Sequence, residues 1–234
     1  LTLDSPILPA EQVASLVQGD GRFHTLGTFI TRLFTGRVSY HHLVAEFQAQ
    51  LNRFREQVGQ EPWVVNAHHH VQVFPQVGAA LREVLSSCQP RPYLRRVRES
   101  FHTLRTIHGA RCKRGFLSML GGWQARRQAS AGFIGADRLA GITNPPFVQD
   151  PEFFTRWLCN IAGDTVELTC HPGEHDPSLL GRDAEPGDGN LERRTQELHL
   201  LLQPEFSKRI VEQGFEVVRP SDLLSRTMKL RRAA

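Results

Sequence analysis

Two short stretches of this 234-residue chain combine residue types that can do chemistry. The first is "WVVNAHHHVQVFP", Trp63 to Pro75, where His68, His69 and His70 follow an apolar run. If the strand continues, His68 and His70 fall on one face and His69 on the other, because side chains alternate with period two. An H-x-H pair at a strand end can present two imidazoles to one metal ion. The same residues on a surface loop would do nothing of the kind. The second stretch is "VELTCHPGEHD", in which His171 follows an alternating segment and precedes Pro172 and Gly173. Pro and Gly force a sharp turn there. An imidazole fixed at a sheet edge can act as general acid or base, or it can simply hydrogen-bond its own turn. His24, His41, His42, His102, His108, His175 and His199 have no comparable context and read as surface or satisfied core residues.

Both stretches need a scaffold. Leu43, Phe47, Leu51, Phe54 and Val58 recur at steps of three and four, which predicts an amphipathic helix over 40–58. "EPWVVNA" then reads as a strand. Val77, Ala80, Leu81, Val84, Leu85 and Cys88 predict a second helix, and "YLRRVRE" a second strand. The Arg- and Gly-rich segment 101–135 reads as partly helical. "FIGADRLAGI" follows as a strand, then a helix with Asp150 as N-cap and Pro151 in its first turn. "DTVELTC" is the next strand, followed by a polar loop over 171–190, two helices ending at Gly214, and "FEVVRP" as a last strand. The alternation indicates an α/β fold with a mostly parallel sheet. In such folds chemistry gathers at the C-terminal ends of strands, and both histidine stretches lie directly behind one.

Composition narrows the classes. A hydrophobic fraction of 40% supports a sizeable core, and no apolar run is long enough for a membrane span. The net charge is +4. It comes from dispersed arginines, a local group at Arg91, Arg95, Arg96 and Arg98, and a basic tail, "RTMKLRRAA", that reads as a frayed terminus. No DNA- or RNA-binding motif accompanies this charge, so nucleic acid is not an expected partner. Cys88, Cys112, Cys159 and Cys170 form no C-x-x-C pair. Reduced thiols in the cytoplasm account for them. The oligomeric state, a homodimer included, is left open.

At this point the motifs carry a resemblance. "VVNAHHHVQVFPQVGAALREVL" resembles the D-G-H-x-H-V-H-x-x-P-x-V signature of the YdjC-like carbohydrate deacetylases. "VELTCHPGE" is similar to that family's E-L-M-x-H-P-G, and "FIGADRL" to its F-x-G segment. "RRTQELHLLLQPEFSKRIVEQGFEV" resembles its C-terminal pattern, and "SPILPAEQVASLVQGDGRF" an N-terminal loop. The resemblance implies an incomplete (β/α) barrel related to polysaccharide deacetylases, formed by residues 1–234 as a single domain. It implies removal of an N-acetyl group from a small acetylated saccharide with the help of one divalent metal ion. It assigns His68 as metal ligand, His70 second, and gives His171 the proton-donor role. Arg95, on the strand after the histidine helix, is assigned to the sugar. Two imidazoles with a carboxylate favour Zn²⁺ over Mg²⁺. Such an ion would acidify bound water and polarise the acetamide carbonyl.

The chain also departs from the pattern. Asn66 stands for the opening Asp and Gln72 for the third His, and no A-D-D-F-G occurs. A first strand–helix unit, carrying that motif, is therefore expected upstream of residue 1. Two alternatives stay open: a sugar-binding homologue without catalysis, and a metal-dependent hydrolase of another acyl or phosphoester substrate.

Overall fold

The computed structural model describes residues 1–2, 4–181 and 184–225. The tail 226–234 lies outside the described residues. In chain order the elements are α1 (Leu26–Phe34), α2 (Tyr40–Val58), β1 (Val64–Val65), α3 (Pro75–Leu85), β2 (Tyr93–Leu94), α4 (Phe101–Thr106), α5 (Arg111–Ser130), β3 (Arg138–Ala140), α6 (Phe153–Asn160), β4 (Val166–Leu168), α7 (Asn190–Leu202) and α8 (Pro204–Glu212). Short 3-10 turns cover Ala10–Val13, His68–Val73, Pro145–Gln149 and Pro177–Leu179. The strands pair in parallel, β1 with β2 and β3 with β4. Helices alternating with short parallel strands make this the expected α/β fold, an incomplete (β/α) barrel. The chain gathers into two compact units. Of the described residues, one holds Leu1–Arg95, Leu120–Gly135 and 220–225; the other holds Arg96–Met119 and Ala136–Arg219.

In the first unit α2 buries Leu43, Phe47 and Leu51 against α3, which buries Val77, Ala80, Leu81, Val84 and Leu85. Burying each Leu, Val or Phe side chain among these contributes about 1.5–3 kcal/mol. Phe54 and Val58 continue the predicted stripe of α2 but stay exposed, and Phe54 edges an open cavity of about 310 Å³. Gly78 of α3 permits a close approach: a Cβ there would lie 2.6 Å from the Gln72 carbonyl oxygen and 2.2 Å from Gln124 Nε2. Gln124, fully buried, donates at 3.0 Å to the Phe74 carbonyl and so ties α5 to the end of the histidine turn.

The second unit packs Ile107, Ala140, Val148, Phe153, Phe154 and Trp157 into one cluster. Arg114 is fully buried beneath it. Its guanidinium lies 4.7 Å from the Trp157 ring, pairs with Glu99 at 2.5 Å, and donates to the carbonyls of Ile107, Gly109 and Thr103. A buried charge is tolerable only when its donors are satisfied in this way. Gly141 follows β3 with φ +94°, and a Cβ there would meet the Thr169 carbonyl oxygen at 2.1 Å. This contact sets how closely the outgoing ends of β3 and β4 approach.

Several sequence expectations are corrected. The strands span only two or three residues. Segment 101–135 is partly helical as expected, with α5 running through Gly115, Gly121 and Gly122. α1 had no predicted counterpart. α6 starts at Phe153 with Glu152 as N-cap, while Asp150 accepts from the Glu152 backbone N–H at 2.9 Å and from Arg156 at 2.6 Å. "FEVVRP" forms no strand: Val217 is 80% exposed, so its apolar residues bury no sheet face. His24 is buried, yet its Nε2 has no partner among the described residues, so it is not the satisfied core histidine that the sequence suggested.

Candidate active site

The first unit holds the histidine turn. β1 ends at Val65, where the Arg95 backbone N–H donates to the Val65 carbonyl at 3.1 Å. The half-buried Arg95 therefore stands just past β2, beside the strand that leads into the turn. The chain then does not continue as a strand. His68–Val73 forms a 3-10 turn with left-handed backbone at His69 (φ 54°) and His70 (φ 58°). The alternation that would put His68 and His70 on one strand face is thereby lost. Two successive non-glycine residues in this region cost on the order of 1 kcal/mol or more each and persist only where the surroundings fix them. Val71, Gln72, Val73 and Phe74, all buried, anchor the outgoing side. His68 and His69 are exposed, with ring centroids 3.9 Å apart and planes tilted by 49°, and His69 Nδ1 lies 3.0 Å from Thr2 Oγ1.

The turn thus carries His68, exposed, and His70, half-buried, while His69 Nδ1 meets Thr2 Oγ1. Among the described residues, no three His, Cys, Asp or Glu side chains converge. Asn66, Ala67 and His68 also line the cavity of about 310 Å³, together with Phe47, Val65 and Leu81. Its wall is mainly apolar.

The second unit holds His171, three residues past the end of β4 and exposed. Its backbone N–H donates to Glu197 Oε2 of α7. Glu197 is fully buried, and its Oε1 accepts from Arg193 Nε at 2.7 Å. Arg193 Nη1 donates to the Thr143 carbonyl at 3.4 Å, in the loop leaving β3. Arg193 Nη2 lies 3.4 Å from His171 Nδ1. One arginine thus joins the ring, the β3 loop and the carboxylate that fixes the ring's own backbone. Gly173 turns the chain beside Arg194, and its N–H donates to the Arg194 carbonyl at 3.2 Å. Desolvation first, and the Arg193 charge second, lower the Lys113 ammonium below its usual range. Hydrogen bonds from Ser178 chiefly hold the Asp176 carboxyl below its usual range.

Sequence reasoning missed Arg193, Glu197 and Thr143. A signal for the first two exists: Leu191, Glu197 and Leu200 form the buried face of α7, and a glutamate on that face demands a cationic partner. The arginine one helical turn earlier supplies it.

Against known proteins, a family model described as YdjC-like protein matches residues 1–212. A carbohydrate deacetylase from Danio rerio is 35% identical over 81 residues, which is 35% of this chain and 26% of that relative. Chitooligosaccharide deacetylases of Yersinia pestis (strain Pestoides F) and Yersinia pseudotuberculosis serotype O:1b (strain IP 31758) are 26% identical over 214 residues, 89% of this chain and 71% of theirs. A crystal structure from Enterococcus faecalis V583, whose name refers to cellobiose-phosphate cleavage, superposes with a TM-score of 0.65 at 21% identity, over 95% of this chain and 74% of that one. The superposition speaks for the fold. The family match, covering the histidine turn, β4 and the Arg193–Glu197 pair alike, identifies the chain as a member of the YdjC-like protein family.

Proposed function

We propose that this chain is a carbohydrate deacetylase, a hydrolase that removes the N-acetyl group of an amino sugar or chitooligosaccharide. The observation that supports it most is His171, placed behind β4 and fastened by a buried Glu197–Arg193 pair, in a family whose relatives carry deacetylase names. In the reaction, water adds to the acetamide carbonyl, the C–N bond breaks, and acetate and a free amine leave. His171 faces either the tetrahedral oxygen or the departing nitrogen. Arg95 is assigned to the sugar. Cys88, Cys112, Cys159 and Cys170, which form no C-x-x-C pair, fit a reducing compartment such as the cytoplasm, and no described helix is long and apolar enough to cross a membrane. Incubating the purified protein with N-acetylated chitooligosaccharides and measuring acetate tests the reading. No acetate above a His171→Ala control would sink it.

His68, with His70 beside it, is proposed to give imidazoles to a divalent cation, Zn²⁺ ahead of Mg²⁺. Elemental analysis of wild type and His68→Ala decides this, with metal expected to fall in the variant and equal content refuting the assignment.

A second reading is a sugar-binding protein without chemistry. Gln72 favours it. Where the resemblance has a histidine, this glutamine is fully buried, and neither amide atom has a partner among the described residues. Chitooligosaccharide binding without acetate release would select this reading.

A further inference from the structure

Arg193 also determines which nitrogen of His171 can carry a proton. A guanidinium has only N–H donors and no acceptor. Its approach to His171 Nδ1, 3.4 Å, is near the outer limit of a hydrogen bond and is attractive only when Nδ1 holds a lone pair. A proton on Nδ1 would face another donor. Arg193 cannot easily turn away, because Glu197 Oε1 and the Thr143 carbonyl hold two of its other nitrogens and only 11% of its side chain is exposed. On the other side, Glu197 Oε2 accepts the His171 backbone N–H and so fixes where the residue that carries the ring stands. One buried carboxylate thus holds both the donor and the backbone beneath the ring.

We infer that Arg193 is a positioning residue that holds His171 as the neutral tautomer protonated on Nε2, so that His171 meets its substrate as a hydrogen-bond donor to oxygen rather than as an imidazolium. The substrate half of this statement rests on the proposed deacetylation, where the oxygen is that of the tetrahedral intermediate. No bond to His171 forms or breaks. Protonating the departing amine would instead require an imidazolium, which places its second proton on Nδ1, against Arg193. Both Glu197 oxygens are already engaged, one by the His171 backbone N–H and one by Arg193.

Nitrogen-15 NMR of the imidazoles, with His171 assigned by its loss in His171→Gln, reads the tautomer directly. At pH 8 the wild-type ring should show a bare Nδ1 and a protonated Nε2. Arg193→Met should relax this to a mixture of tautomers, and Arg193→Lys, which keeps a donor and a charge, should restore the wild-type pattern. In the acetate assay Arg193→Met should lower kcat about 10–10²-fold with KM near wild type, and Arg193→Lys should recover part of the loss. A protonated Nδ1 in the wild type, or an unchanged spectrum in Arg193→Met, overturns the inference. If Arg193→Met fails to fold, the wild-type and Arg193→Lys spectra decide alone. An intact tautomer pattern in a protein that releases no acetate overturns the deacetylase reading and leaves the Arg193 lock standing.

Discussion

His69 and His70 are placed by their own backbone, bent into left-handed angles between β1 and the buried Val71–Phe74 segment, whereas His171 is placed by side chains that reach it from α7. In the first unit His68 and His69 are exposed, their rings lie against each other, and His69 meets Thr2. In the second, a carboxylate without solvent exposure and an arginine set both the position of the ring and the state of its nitrogen. The difference teaches where each site should be vulnerable. A backbone-held group is sensitive to the φ its residue can adopt. A side-chain-held group is sensitive to distant charge.

The largest effect should come from Glu197→Ala. It strips Arg193 of its buried partner and the His171 backbone of its acceptor, and breaking a buried pair from one side costs about 3–5 kcal/mol. Urea unfolding should show that loss, and a cost under 1 kcal/mol would mean that the second site is not held by charge. Next in size is His171→Ala. Removal of a single transition-state donor typically costs about 10²–10³-fold in kcat, while the melting temperature should stay near wild type because the ring is exposed. A variant that melts early but deacetylates normally would make His171 a turn residue only. Smaller again is a paired test of the first site. His69→Gly and His69→Val both lose the Thr2 contact, but only valine is penalised at φ 54°, so valine should be less stable by about 1–2 kcal/mol. Equal stabilities would remove the case for a backbone-held turn.

The smallest effect separates the turn from its own unit. Burial first and the Arg32 charge second lower the pKa of His24, so the unfolded chain binds a proton that the folded chain resists. Its contribution is fully present above the unfolded value of about 6.5 and is lost as pH falls below it. His24→Phe should flatten the fall in melting temperature between pH 7 and 5. An unchanged slope would point to histidines elsewhere, those of the turn included.

The sequence made part of this legible. The spacing of Leu43, Phe47 and Leu51 and of Val77 to Leu85 announced α2 and α3 because their stripes are periodic and buried. Both histidine stretches stood out for their position behind apolar runs. The handedness of His69 and His70 was not legible, since it is imposed by the packing of residues 71–74 and by Gln124, fifty positions away from Phe74. Nor was the Arg193–Glu197 hold, which joins residues 22 to 26 positions from His171 across a loop of no fixed pattern. "FEVVRP" misled for the opposite reason: strand-like composition without a neighbour to pair with.

The bonds that fasten His171 also close a neck. The His171 N–H meets Glu197 and the Gly173 N–H meets the Arg194 carbonyl, so the chain leaves and re-enters the fold at nearly one place. What lies between is a polar excursion whose length is set by nothing in the neck. Lengthening a loop tied in this way is cheap, with each doubling costing only about 0.6 kcal/mol in closure entropy. Insertions and deletions between residues 174 and 181 therefore leave the imidazole where Glu197 and Arg193 meet it.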